Sequence, residues 1–233
     1  MSMDLGITDR LRPILEEVKS FIRDEIQPLE HEFLAEIDKE DRWSFTARQE
    51  EIMATLKDKA KAKGLWNFFL TNSDTGPGLT NVEYAYIAEQ TGRTHLAAEC
   101  FNCNAPDTGN MEVLEKYGSD AQKKQWLEPL MAGDIRSAFA MTEPDIASSD
   151  PTQLQTTAVL EDGHWHINGR KWFTTGADEA AYTTIMCRTE SNVQAHGAFS
   201  MIVVPTNTRG YNIIRDTPVL GMETGHFEVA YDN

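Results

Sequence analysis

Only three cysteines occur in 233 residues: Cys100, Cys103 and Cys187. So few exclude a disulfide framework and leave reduced thiols as the plain expectation. Basic residues are also scarce. Against 37 aspartates and glutamates stand 21 lysines and arginines, giving a net charge of −16 and a pI near 4.7. A chain this acidic repels phosphate backbones at long range, which disfavours non-specific nucleic-acid binding. No apolar run approaches the ~20 residues of a membrane span. The opening "MSMDLGITDRLRPILEE" lacks the basic-then-apolar order of a secretion signal. GxGxxG and P-loop spacings are missing as well. The chain reads as a non-secreted protein with no nucleic-acid or membrane partner, expected in bacterial cytoplasm or in a mitochondrial or peroxisomal matrix.

What is present falls into two textures. Leu11, Ile14, Leu15, Val18, Phe21, Ile22 and Ile26 recur at three- and four-residue steps, painting one apolar stripe on a helix that Pro28 disturbs or ends. A second helix is expected from about Thr46 to Lys63, with Gly64 as its left-handed exit. Thr80 with Glu83, and Ser119 with Gln122, have capping-box spacing and open further helices. "LAAECFNC" and "TGNMEVLEKYG" read as two more, while "TNSDTGPGLT" is loop.

After Gly133 the runs become strand-like: "RSAFAM", "LQTTAVL", "HWHI", "KWFTT", "YTTIMCR", "AFSMIVV", "YNIIR" and "FEVAY". Asp162-Gly163 and Asn168-Gly169 are hairpin signals, so residues 155–175 are expected to form a three-stranded meander. The fold class is α+β. An N-terminal helical bundle (1–135) is followed by an antiparallel β-barrel or sandwich (136–233). The end at "GHFEVAYDN", directly after a strand-like run, suggests a portion of a longer chain.

The joint "FAMTEPDIASSDPT" (139–152) concentrates small polar chemistry. Pro144 interrupts regular structure, and Thr142, Ser148, Ser149 and Asp150 crowd the turn that follows. Successive backbone N–H groups in such a turn can receive an anion. The same hydroxyls can equally well satisfy their own backbone. Residue chemistry alone favours the second reading.

A resemblance shifts that balance. "AMTEPDIASSD" is similar to the flavin-contacting signature of the acyl-CoA dehydrogenase family. "NGRKWFTTGA" (168–177) resembles that family's Asn-Gly-x-Lys-x-Trp-Ile-Thr strand, and "YGSDAQKKQWLEPLMAGDIRSAFAMTEP" (117–144) its approach to the signature. The resemblance implies FAD as cofactor, with Phe139, Met141 and Thr142 approaching the flavin ring. It implies that Ser149, next to Ser148, bonds near the pyrophosphate and the acyl-CoA, and that Phe173, Thr174 and Thr175 line the other side. The implied reaction is α,β-dehydrogenation of an acyl-CoA to a trans-2-enoyl-CoA, as in fatty-acid β-oxidation. Electrons would pass to electron-transfer flavoprotein or oxygen, and a homodimer or homotetramer is implied. The family's C-terminal helical bundle, which carries the catalytic base, has no counterpart here. No catalytic residue is therefore assigned, and the base is expected beyond Asn233.

Two departures narrow the resemblance. Glu143 and Asp150 are one residue further apart than the usual signature, and Ser148 stands at its glycine. Together with "NCNAPDTGNMEVL" this resembles a subgroup acting on 4-hydroxyacyl-CoAs. Phe173 replaces the usual tryptophan. A non-catalytic, DNA-associated flavoprotein of the alkylation-response type is the other class weighed, and the −16 charge speaks against it. Cys100-x-x-Cys103 and the His164/His166 pair lack further ligands in sequence, so no metal is assigned.

Overall fold

The computed structural model describes residues 5–37, 45–190, 193–220 and 225–233. The chain divides into two compact units, Met1–Thr108 and Gly109–Asn233. The first is helical: α1 (Leu11–Phe21), α2 (Gln27–Ala35), α3 (Ala47–Ala62), α4 (Asn81–Thr91) and the single turn α5 (Ala97–Cys100). The expected stripe is its core, since Leu11, Leu15, Val18, Phe21, Ile22 and Ile26 are all buried. Phe101 joins it from another segment, its ring 5.5 Å from Phe21 and 5.6 Å from Phe68. "LAAECFNC" forms less helix than its composition suggests, because the chain leaves helical geometry at Phe101 and Asn102 takes a φ of +52°.

Pro28 does not end the first helix. A π-helical turn, Ile22–Ile26, joins α1 to α2, and the Gln27 N–H bonds the Ile22 carbonyl five residues back. The wide turn precedes a residue that has no N–H and whose ring would press on the carbonyl four back. The same device recurs at Lys123–Leu127, just before Pro129. The capping boxes at Thr46, Thr80 and Ser119 all form. Gly64 exits α3 with a φ of +70°, as the pattern required.

The second unit combines α6 (Asp107–Tyr117, which starts at the boundary), α7 (Asp120–Gln122) and α8 (Glu128–Ala132) with seven strands. These are β1 (Arg136–Ala140), β2 (Thr157–Glu161), β3 (His164–Thr175), β4 (Ala180–Arg188), β5 (Phe199–Pro205), β6 (Tyr211–Asp216) and β7 (His226–Asp232). The sheet order is β1-β4-β2-β3-β7-β6, with β5 on β4. Ala140, Ala158, Ile167, Ile185, Cys187, Phe227, Val229 and Tyr231 form its core. Among the described residues no helix is long and apolar enough to cross a membrane.

Two expectations about the strands are corrected. The sheet is mixed, not wholly antiparallel: β1 runs parallel to β4, and β2 touches the end of β4 in the same sense. β1 and β2 thus lie along successive parts of β4, with the 141–156 connection between them. The meander is also absent. Asp162 (φ +49°) and Gly163 (φ +80°) make the one tight turn, between β2 and β3, whereas Asn168-Gly169 lies inside the twelve-residue β3. Gly169 is needed there for another reason. Its φ is +151°, and a Cβ would lie 2.8 Å from Thr156 Cα, so glycine admits the neighbouring backbone instead of turning the chain.

Candidate functional site

β1 enters the sheet under the control of α6. The buried Asn110 amide donates to Ser137 Oγ (2.9 Å) and to the Ala138 carbonyl (3.0 Å). Ala138 and Ala140 face the core while Phe139 is half-buried on the opposite side. Met141 and Thr142 follow, also half-buried, and the chain runs alongside β3: the Trp172 N–H donates to the Thr142 carbonyl at 3.0 Å. The Thr142 hydroxyl returns the bond, donating to the Trp172 carbonyl at 2.8 Å. Thr142 is thereby clamped to one point of β3.

Glu143 occupies the gap where β1 has ended and β2 has not begun. Amides there have no strand partner and need another acceptor. The Glu143 carboxylate supplies it, accepting from Gln155 N–H and Thr156 N–H at 2.8 Å each. Lys171, fully buried, reaches across from β3 and donates to Glu143 Oε1 (2.9 Å) and to the Met141 carbonyl (2.8 Å). Burial alone would raise the Glu143 carboxyl, but the Gln155 amide, Lys171 and Thr156 outweigh it and hold it below the usual range. Burial draws the Lys171 ammonium down from its ordinary value, with Glu143 opposing. Glu143 is thus an ionised clamp on the turn.

The loop beyond Glu143 separates the two serines. Ser148 is buried, accepting from the Glu143 N–H (2.8 Å) and facing the Glu143 carbonyl (3.3 Å), so its hydroxyl closes the turn. Ser149 is exposed. Asp150 caps the next turn by accepting from Thr152 N–H and Oγ1.

On β3 the alternation of faces breaks. Lys171 and Thr174 are both buried although three residues apart, which a regular strand forbids. The register against β7 shifts between them, and Phe173, at φ +52°, is pushed outward and left 41% exposed. Its ring lies 4.7 Å from Trp172 and 6.4 Å from His226. Thr174 turns inward, and its Oγ1 is buried without a hydrogen-bond partner among the described residues. Thr175 turns back out and shares a 2.8 Å hydrogen bond with His226 Nδ1, directly opposite on β7.

Of the eight residues singled out in the sequence, the structure gathers Thr142, Phe173 and Thr175 along one stretch of β3, and Phe139 and Met141 lead into it. The Ser148 and Thr174 side chains face the interior. Lys171 and His226 carry no assigned role in sequence reasoning, yet they hold this patch. Lys171 had a signal, a lysine opening the strand-like run "KWFTT"; His226 had none. The Cys100 and Cys187 thiols are pushed up to about 12, and Cys103 to about 11, all chiefly by burial.

Matches to family models cover nearly the whole chain. Residues 8–134 match the acyl-CoA dehydrogenase N-terminal domain, and residues 138–233 the middle domain. The chain belongs to the acyl-CoA dehydrogenase family. Among curated family members, it is 46% identical over 213 residues to the probable acyl-CoA dehydrogenase FadE2 of Mycobacterium tuberculosis, across 88% of this chain and 52% of that one. It is 42% identical over 236 residues to human acyl-CoA dehydrogenase family member 11, across 97% of this chain and 29% of that one. A solved acyl-CoA dehydrogenase structure from Mycobacterium abscessus superposes with a TM-score of 0.91 at 43% identity, over 98% of this chain and 58% of that one. A Mycobacterium smegmatis glutaryl-CoA dehydrogenase, solved with FADH2, shares the fold at 22% identity and a TM-score of 0.71, over all of this chain and 55% of that one. The chain therefore spans between about a third and three-fifths of the length of these relatives.

The patch suits a flat ring with a polar edge. An exposed aromatic side chain lies beside it, and the half-buried hydroxyls of Thr142 and Thr175 border it. Its chemistry fits an isoalloxazine ring.

Proposed function

We propose that this chain supplies one wall of a flavin and thioester site in an FAD-dependent acyl-CoA dehydrogenase. The observation that carries the proposal is the gathering of Thr142, Phe173 and Thr175 by the Thr142–Trp172 clamp and the Thr175–His226 bond. When bound, FAD would accept the β-hydride of the acyl group as the α-proton leaves to a base. This chain's residues would do the rest of the positioning. Thr142 and Thr175 would meet the polar edge of the ring, while Phe139 and Phe173 exclude water from it. Ser149 would bond near the pyrophosphate and the acyl-CoA. Ser148 and Thr174, buried here, would shape the loop and strand behind those contacts.

The subgroup likeness of "EPDIASSD" favours a 4-hydroxyacyl-CoA as the finer substrate class, with fatty-acid β-oxidation as the setting. Acyl-CoA, an electron acceptor (electron-transfer flavoprotein or oxygen) and a second copy of the chain complete the proposed partners. The test is to purify the whole protein, record its flavin absorbance, and add plain and 4-hydroxy acyl-CoAs without oxygen. Bleaching by either supports the dehydrogenase, and preference for the 4-hydroxy form supports the subgroup. Retention of flavin with no bleaching by any acyl-CoA would reject both.

A further inference from the structure

The helical unit holds a recess of about 440 Å³ that has no part in the patch described above. It is lined by Lys19, Ile22, Arg23 and Gln27, from α1, the π-helical turn and the start of α2, and by Gln90 and Arg93, at and just beyond the end of α4. Three of the six are cations and none is an acid, in a chain where acids outnumber bases 37 to 21. That composition runs against the rest of the molecule.

The buried polar member of the lining is Gln90, only 6% exposed; its side-chain amide forms no hydrogen bond among the described residues and is not fully enclosed, so it opens on the recess. An amide that meets only the contents of the recess can exchange water there for a ligand oxygen without losing any protein hydrogen bond. Arg93 is exposed and forms no ion pair among the described residues. Lys19 and Arg23 have only exposed partners on their own turns: Glu16 at 2.8 Å, and Asp24 at 2.7 Å through two parallel bonds. Exposed pairs of this kind contribute little and exchange readily for a better anion. The π-helical turn holds Arg23 and Gln27 directly follows it, and such turns are often kept where a helix does more than pack. The carboxyl end of α4 is itself slightly negative, so attraction for an anion comes from the side chains rather than from a helix dipole.

We propose that this recess binds the phosphate or diphosphate group of a small metabolite. Two guanidinium forks and an ammonium match a multiply charged oxyanion, and the Gln90 and Gln27 amides add neutral donors. The volume falls within the range of small-molecule pockets and exceeds what a single halide would need. Arg93 supplies the unpaired charge, and Gln90 reads the anion from the buried side.

The test is calorimetric titration of the whole protein with inorganic pyrophosphate at about 50 mM salt, where charge contacts are least screened. The expected result is saturable binding that weakens steadily as salt rises. Arg93→Glu, on the surface, should lower affinity tenfold or more, about 1.4 kcal/mol. Gln90→Leu, checked for an unchanged thermal midpoint, should lower it a few-fold, as loss of one hydrogen bond does. Lys116→Glu, on a different helix, should leave it unchanged. No saturable binding up to about 10 mM, a range that would capture even weak anion sites, overturns the proposal. So does equal loss with Arg93→Glu and Lys116→Glu, which would mark binding to overall charge.

Discussion

Replacing Lys171 with methionine keeps most of the side-chain volume and deletes one buried charge beneath the candidate site. The ammonium is fully buried, with two acceptors, the Met141 carbonyl and Glu143 Oε1. Its removal leaves Glu143 ionised and buried, still holding the Gln155 and Thr156 amides but missing its countercharge. Breaking a buried pair this way typically costs about 3–5 kcal/mol. The two surviving amide bonds place this site near the lower end, at about 3 kcal/mol. Glu143→Gln should cost about as much, because a carboxamide has one acceptor oxygen for two amide donors and leaves the ammonium uncompensated. The Lys171→Met/Glu143→Gln double variant should be better than the sum of the singles by about 1–3 kcal/mol, since neither partner is then left as a lone buried charge. Urea unfolding of all four proteins, followed by tryptophan fluorescence, gives the cycle. Additive costs to within about 0.3 kcal/mol, or a Lys171→Met cost under about 1 kcal/mol, would refute the claim that this pair clamps the turn.

Glu83 accepts from Arg10, Thr8 and the Thr80 N–H, and these hold its carboxyl at about 2, against 4.5 in its ordinary state. Its contribution is therefore complete above pH 4.5 and lost as pH falls from there toward 2. The shift is worth at most ~3 kcal/mol, and because Arg10 is 54% exposed, solvent screening reduces it to about 1–2 kcal/mol. Glu83→Gln, which can keep the capping box as Gln49 and Gln122 do, should lose that amount at pH 7 and nothing near the acid limit of the folded state. A pH-independent gap in urea midpoints would contradict this. Gly169→Ala should destabilise by about 2 kcal/mol or more in the same assay, because both its φ and the approach of Thr156 exclude a Cβ. All three thiols should resist a disulfide reagent at pH 8 in the folded protein and react once urea unfolds it, because burial keeps them protonated. Fast reaction of any one in the native state would place it in a different environment.

Local chemistry in this chain is legible wherever a few neighbouring residues decide it. Thr46 with Gln49, Thr80 with Glu83 and Ser119 with Gln122 can each be read as helix starts, because donor and acceptor sit three residues apart on one strand of sequence. The Asp162-Gly163 turn is equally local. Asn168-Gly169 looks the same on paper and behaves differently, since the approach of Thr156 from thirteen residues earlier determines what Gly169 is for. The pairing of β1 with β4 belongs to the same class: no property of "RSAFA" records which strand will lie beside it, or in which sense.

The likeness of "AMTEPDIASSD" and "NGRKWFTTGA" identified the residues around the candidate site, but not which of them face outward. That was decided by a register shift between β3 and β7, which rephases the strand so that Lys171 and Thr174 both point inward and Phe173 outward. The partners of the site residues lie far along the chain, Glu143 with Lys171 and Thr175 with His226. By itself, then, the sequence determined the helix starts, the tight turn and the family, because these are written in short spacings. Only the tertiary structure decided the facing of the hydroxyls, the buried ion pair and the cationic recess, because hydrogen bonds and charges act through space between segments that a linear reading leaves apart.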